Sequence, residues 1–206
     1  LVGPGVQWSG IGWGVSHPHA NPARDSMHTV DRQREQLEMA GLTAFPPPAL
    51  DWLDADISAL GLPDRFALLV PGASPLRPGK RWPAERFREL AAGFALPAVL
   101  LGGGAERDLA GRIAAGVPGA VNLAGRTDFA QVAALARRAD FAVGNDTGPT
   151  HLIAAAGCPT LALFGADSDP ALCAPRGHRV AVLRHLPLAG LGVEAVRSAL
   201  AALTPR

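Results

Sequence analysis

The chain has 206 residues, 48% of them hydrophobic and 18% charged, enough to bury one full core with chain left over. Nineteen basic and eighteen acidic residues are interspersed and give a formal charge of +1, which excludes nucleic acid or an anionic membrane as an electrostatically steered partner. No run approaches the ~18 apolar residues of a transmembrane segment, and Cys158 and Cys173 lack CxxC spacing, so the reading is a soluble, cytoplasmic protein whose reduced thiols pack in the core.

The opening, LVGPGVQWSGIGWG, has neither the basic start nor the long apolar stretch of a signal peptide. It begins on Leu1 and is rich in glycine, a poor start for an independent domain, so a fragment lacking an upstream part is expected. Asp25 to Ala40 (DSMHTVDRQREQLEMA) predicts a polar connecting helix closed by Gly41. Pro46, Pro47 and Pro48 stiffen the chain, and a short amphipathic segment, Asp51 to Leu60, leads into the first strand. The expected organisation is residues 1–45 as a remnant of a preceding domain plus the connecting helix, 46–62 as linker, and 63–206 as a compact domain.

From Pro63 onward short apolar runs alternate with helical patterns. Strands are expected at Phe66 to Val70, Ala98 to Leu101, Ala120 to Leu123, Phe141 to Gly144, Thr160 to Phe164 and Arg179 to Leu183. Helices are expected at Pro83 to Phe94, Glu106 to Ala115, Asp128 to Arg138, Thr150 to Ala156 and Val193 to Leu203. This alternation predicts an α/β fold, a Rossmann-like parallel sheet of about six strands with helices on both faces.

Two loops carry the chemistry. FAVGNDTGPTH, Phe141 to His151, runs a buried strand into a helix start, which sets unpaired backbone N–H groups, a helix dipole, two hydroxyls and an imidazole around one point. Ligands bind at that edge of an open α/β sheet. PGASPLRPGKRWP, Pro71 to Pro83, follows the first strand and brings Ser74, Arg77, Lys80 and Arg81. It is not a Walker loop, because six residues separate Gly72 from Gly79 and Arg81 follows Lys80. LGGGAERD, from Leu101, fails the dinucleotide fingerprint, with Arg107 where a third glycine belongs. Cations and hydroxyls on one side and a helix N-terminus on the other suit a diphosphate; taken singly, Ser74 and Thr150 read equally well as caps.

Other features read as packing or turns. His17, His19 and His28 have no metal-ligand spacing and read as loop or acceptor-side surface. Trp8, Trp13 and Trp52 read as packing against a domain outside the chain. Asp167 and Asp169, in ADSDP, read as a turn rather than as paired catalytic carboxylates.

PGAS with KRWP (Pro71 to Ser74, Lys80 to Pro83), GNDTGPTHLIAAAG (Gly144 to Gly157) and LFGADSDP (Leu163 to Pro170) resemble glycosyltransferase family 9, the ADP-heptose:lipopolysaccharide heptosyltransferases. The likeness covers roughly Phe66 to Leu203 in order, and HTVDRQREQLEMAGL (His28 to Leu42) resembles the segment joining that family's two domains. It implies the C-terminal, donor-binding half of a GT-B enzyme that is metal-independent and inverting. Such an enzyme needs no cofactor and transfers a sugar from a nucleotide-diphosphate sugar to lipopolysaccharide core, as a peripheral protein at the inner face of the inner membrane.

Carried over by position, Ser74 and Lys80 match the family's phosphate-contacting hydroxyl and lysine, and Asp146, Thr147, Gly148 and His151 match its donor-binding DTGxxH motif. Asp146 cannot favour phosphate by charge and is assigned to sugar hydroxyls or to its own loop. The family holds the nucleotide ribose with an acidic residue on the helix before the DTG strand; here DFAQVAAL places Ala130 and Gln131 in that region. Gln131, Arg77 and Thr150 are therefore carried as further candidates. The family's general base is an aspartate of the N-terminal domain, so the catalytic residue stays unassigned. A nucleotide-sugar epimerase of GT-B-like fold and a non-catalytic nucleotide-sugar binding module remain as alternatives.

Overall fold

The computed structural model describes residues 6–46 and 48–204; Leu1 and the first residues of the glycine-rich opening, Pro47 of the proline run and the last two residues lie outside the described residues. The chain divides into two compact units, one of residues 1–48 with 171–173 and the other of 49–170 with 174–206.

The first unit pairs two short parallel strands, β1 (Ser9–Gly10) and β2 (His17–Pro18), and carries the helix α1 (Thr29–Met39). The predicted helix is shorter at its start. Arg24–Ser26 forms a separate 3-10 turn, Met27 is extended, and His28 caps α1 by accepting the Val30 N–H on Nδ1 at 3.2 Å. Its end is as read, with Gly41 in the left-handed region at φ +91°. No α1 residue is buried. The expectation that His19 lies on the surface is overturned, because its side chain is fully buried and its Nε2 meets Glu35 Oε2 at 2.8 Å.

The second unit contains β3 (Ala67–Val70), α2 (Ala84–Ala92), β4 (Ala98–Leu100), α3 (Arg107–Ala114), β5 (Val121–Asn122), α4 (Phe129–Arg138), β6 (Phe141–Asn145), α5 (Gly148–Ala155), β7 (Thr160–Phe164), β8 (Val180–Arg184) and α7 (Val193–Leu203); in sequence the four-residue helix α6 (Pro170–Cys173) lies between β7 and β8, and its residues 171–173 are counted with the first unit. The predicted boundaries hold within about two residues. The helix after β6 starts at Gly148 rather than Thr150, since Pro149 sits in its first turn, where a fixed φ helps and the missing N–H costs nothing. Between Asp51 and Leu60 the regular structure is one 3-10 turn, Ser58–Leu60, with Asp56 accepting the Ser58 N–H at 2.8 Å and Ile57 buried.

All six strands run parallel in the order β5-β4-β3-β6-β7-β8. The chain builds outward from β3 to β5, returns to β6 beside β3, and builds outward again to β8. Both faces are covered, which is why the strands read as unbroken apolar runs. Leu69, Leu100 and Val143 pack on one face with Phe87 and Leu90 of α2, Ile113 of α3 and Val196 of α7. Leu68, Val70, Val99 and Ala142 pack on the other with Val132 and Leu135 of α4 and Ile153 of α5. Because the build direction reverses between β3 and β6, the loops leaving these two strands diverge to opposite faces and open a crevice there.

Candidate functional site

The two sequence-predicted loops are the ones that leave β3 and β6, and the register Val70↔Gly144 brings their starting points level. Asn145, fully buried at the end of β6, ties them together. Its side chain accepts the Trp82 N–H at 3.1 Å and donates to the Pro71 carbonyl at 2.8 Å, so one amide closes both ends of the Pro71 to Trp82 loop. Trp82 is itself buried and donates its indole N–H to the Leu191 carbonyl at 2.9 Å. The loop therefore leaves β3 and returns to α2 at fixed points, with a 3-10 turn, Pro78–Lys80, in between.

Lys80 comes off that turn and reaches the β6 loop, where Nζ donates to Asp146 Oδ2 at 2.6 Å; His151 Nε2 meets Asp146 Oδ1 at 2.9 Å. Asp146 is 4% exposed. Burial pushes its pKa upward, but hydrogen bonds from His151 and Lys80 outweigh this and hold it at about 2; a further pull comes from Ser168, whose buried hydroxyl meets no regular hydrogen-bond geometry. The carboxylate thus serves the organisation of its own loop: it fixes the ammonium of one loop against the imidazole of the other.

Thr147 is extended and precedes α5, whose first turn contributes the unpaired N–H groups of Gly148 and Thr150, Pro149 having none. The His151 N–H is used within the turn, bonding to the Thr147 carbonyl at 3.2 Å. Thr150 is buried, and its hydroxyl donates to the Asn145 carbonyl at 2.7 Å, so it braces the strand-to-helix turn. Ser74 is exposed, with Oγ accepting the Leu76 N–H at 3.3 Å, and lines one cleft with Gly72, Gly102, Glu106 and Thr147. A second, more apolar cleft, lined by Leu101, Thr127, Phe129 and Val132, shares Gly102, Gly103 and Pro149 with the first. Phe129 presents its ring there while 71% exposed.

The other candidates are placed differently. Arg81 folds back on its own loop and donates to the Ala73 carbonyl from Nε at 3.1 Å and from Nη2 at 2.6 Å. Arg77 is exposed on the loop surface. Gln131 forms a capping box with Asp128: its amide oxygen accepts the Asp128 N–H at 3.0 Å while Asp128 accepts the Gln131 N–H at 2.8 Å. The sequence pattern does not mark Asn145, and it gives Asp167 only a turn. Asp167 accepts the Gly79 N–H at 2.8 Å and so pins the turn that carries Lys80. The available signals were an amide at the end of an apolar strand and a carboxylate in the loop of the next one. Among the described residues no three His, Cys, Asp or Glu side chains are grouped as metal ligands. The Cys158 thiol is buried, which pushes it up to about 12 and leaves it inert.

Residues 13–189 match the sequence model of glycosyltransferase family 9 (heptosyltransferase). The chain belongs to glycosyltransferase family 9. It is 34% identical over 155 residues to lipopolysaccharide heptosyltransferase 1 of Pseudomonas aeruginosa, an alignment covering 71% of this chain and 42% of that protein. It is 29% identical over 169 residues to lipopolysaccharide heptosyltransferase 3 of Escherichia coli, covering 75% and 48%. The chain thus spans about half the length of the curated relatives it matches.

The E. coli ADP-heptose lipopolysaccharide heptosyltransferase II structure superposes with a TM-score of 0.76 over 92% of this chain and 66% of that one, at 22% identity, and shares the fold. The E. coli heptosyltransferase WaaC, solved with ADP, gives 0.70 over 92% and 60% at 27% identity. The family 9 chain therefore has a Rossmann-like six-strand parallel sheet in a fold shared with the heptosyltransferase structures, and no helix among its described residues is long and apolar enough to cross a membrane.

Proposed function

We propose that this family 9 chain binds the nucleotide-diphosphate sugar for a heptosyltransferase-type glycosyltransferase, with ADP-heptose as donor and lipopolysaccharide core as acceptor. The observation that carries the reading is Lys80. It stands beside the N-terminal turn of α5 while anchored to Asp146. An ammonium has three donors, and Asp146 engages one, so two remain for diphosphate oxygens. The Gly148 and Thr150 amides add a fixed dipole field, and the Ser74 hydroxyl faces the adjoining cleft beside Thr147.

As the sugar–phosphate bond breaks, negative charge grows on the departing diphosphate. A cation and oriented N–H groups stabilise that charge more than they stabilise the ground state, which is the condition for catalysis. Lys80 and the α5 terminus fill this role without a metal, and attack from the face opposite the diphosphate gives inversion. We assign no general base among the described residues. The apolar seat at Phe129 and Val132 is the place for the nucleobase, and ADP is favoured because WaaC was solved with ADP and with ADP-2-deoxy-2-fluoro heptose.

Calorimetric titration of the chain with ADP, UDP and GDP tests the reading. One ADP bound per chain, at least about tenfold tighter than UDP or GDP, is the expected result. Binding of none of the three contradicts it.

A further inference from the structure

We propose that the cleft at the edge where β3 and β6 begin, between the end of α2 and the second half of α7, binds an organic monocarboxylate with an apolar body. It lies at the opposite end of these strands from the Lys80 and Asp146 loops and rests on no part of the donor reading. The cleft has a volume of about 770 Å³, within the range of small-molecule sites. One part of its lining is cationic and the other is aromatic and aliphatic.

The charged lining consists of two guanidiniums and one carboxylate, a net of one positive charge: Arg65, Arg197 and Asp140. Arg65 and Asp140, just ahead of the two strands, are paired with each other. Arg197 is the cation left for a ligand. The carboxylate beside it, Glu194, stands 3.8 Å from Nη1 and is 83% exposed, so water screens the pair. Asp140 and Glu194 together oppose a second negative charge, which favours a monoanion over a phosphate.

Arg197 is held in place before any ligand arrives. Its Nη2 donates to the Glu89 carbonyl in the last turn of α2 at 3.1 Å. A Cβ added at Gly93 would stand 2.9 Å from Arg197 Cζ, so the guanidinium lies against bare backbone. Its Nε is buried and meets no acceptor among the described residues, and a buried donor of that kind is uncommon in a native protein. The Glu89 bond uses one of the five guanidinium N–H groups, and a planar carboxylate matches the arrangement of the rest.

The apolar part fits the body of such a ligand. Phe94 and Phe141 meet edge to face with centroids 5.1 Å apart, and both rings stay half-buried where they line the cleft beside Leu200. An inorganic anion would leave that surface wet. A carboxylate on an aryl or alkyl body covers it.

The competing role for Arg197 is structural: a cation that caps the C-terminus of α2. NMR titration with hydrocinnamate and with its uncharged amide separates the two. The unaltered chain is expected to bind one hydrocinnamate at least about tenfold more tightly than the amide, and Arg197→Met, which keeps an apolar stem, to lose that preference. A cap alone predicts that Arg197→Met melts at a lower temperature and changes nothing in the titration. Because this variant could disturb α2, Ala201→Glu provides a second test. Ala201 is exposed, lines the cleft and lies one turn beyond Arg197 on α7, so the new carboxylate competes for the guanidinium while Arg197 itself is kept. Hydrocinnamate affinity should fall by about tenfold or more with an unchanged melting temperature. The proposal is overturned if the unaltered chain binds neither compound at millimolar concentration, if it binds both equally, or if either variant keeps the preference for the carboxylate.

Discussion

The protein contains two histidine–carboxylate pairs of nearly equal length, and they are built in opposite senses. In the first unit the buried partner is the base: the His19 side chain has no exposed surface, while Glu35 keeps 27% of its own. In the second the buried partner is the acid: Asp146 is at 4% and His151 keeps 38%. Glu35 has its charge partly in water and two donors on it, His19 at 2.8 Å and Asn21 at 2.8 Å, and these bonds lower its pKa, His19 foremost. Such a pair holds a β-strand end against a helix and needs nothing else. Asp146 has lost its water, and a buried carboxylate demands a cation. Lys80 meets that demand from a different loop, and the ammonium is thereby fixed beside a helix N-terminus. Which partner is buried decides whether the pair is only a brace or also positions a charge.

Replacing Lys80 should have the largest effect. Lys80→Ala takes the ammonium from the buried Asp146 carboxylate and removes the charge that the proposed reading sets against the diphosphate. We expect ADP affinity to fall by about 100-fold or more and the second unit to lose roughly 2–4 kcal/mol in denaturant unfolding. The acid limb of the stability curve comes next. The pKa of Asp146 is depressed to about 2 from an ordinary 3.8, so its contribution is complete above about pH 4 and is lost as the pH falls toward 2. About 2 kcal/mol should disappear across that window in urea melts, and in Lys80→Ala the loss should be smaller, because without the ammonium the folded pKa moves back up toward the unfolded one.

His19→Ala tests the other pair. It removes a buried ring and takes a partner from Glu35 Oε2 and from Arg24 Nε, so about 1–2 kcal/mol of stability should be lost while ADP binding is unchanged; a change in ADP affinity would mean that the two pairs are not separate devices. The smallest effect is expected outside both pairs. Gln131→Ala breaks the capping box of α4 and should cost about 1 kcal/mol or less in thermal melts, with ADP affinity unchanged.

How much could be read in advance follows from the range of each interaction. The β3, β4, β6 and β7 runs could be read because a strand covered on both faces has no polar positions to confuse it, as Leu68, Leu69, Val99 and Leu161 show. The start of α1 was misread because a polar helix gives no apolar stripe to mark its first turn, and the His28 cap shows only in geometry. The two site loops were found from their dipeptide-scale chemistry. Their internal arrangement was not, because Lys80 and Asp146 are 66 residues apart, Trp82 and Asn145 are 63 apart, and Gly79 and Asp167 are 88 apart. Thr150 shows the limit of residue type alone: the sequence offered its hydroxyl to a ligand, and the fold spends it on the Asn145 carbonyl.

On the proposed reading Lys80, held by Asp146 at the α5 terminus, recognises a diphosphate. The most direct test is the ratio of ADP to AMP affinity in the unaltered chain and in Lys80→Ala. The unaltered chain should prefer ADP by about tenfold or more, and the variant should lose most of that preference, because the cation acts on the terminal phosphate. An ADP-to-AMP ratio that Lys80→Ala leaves intact would contradict it.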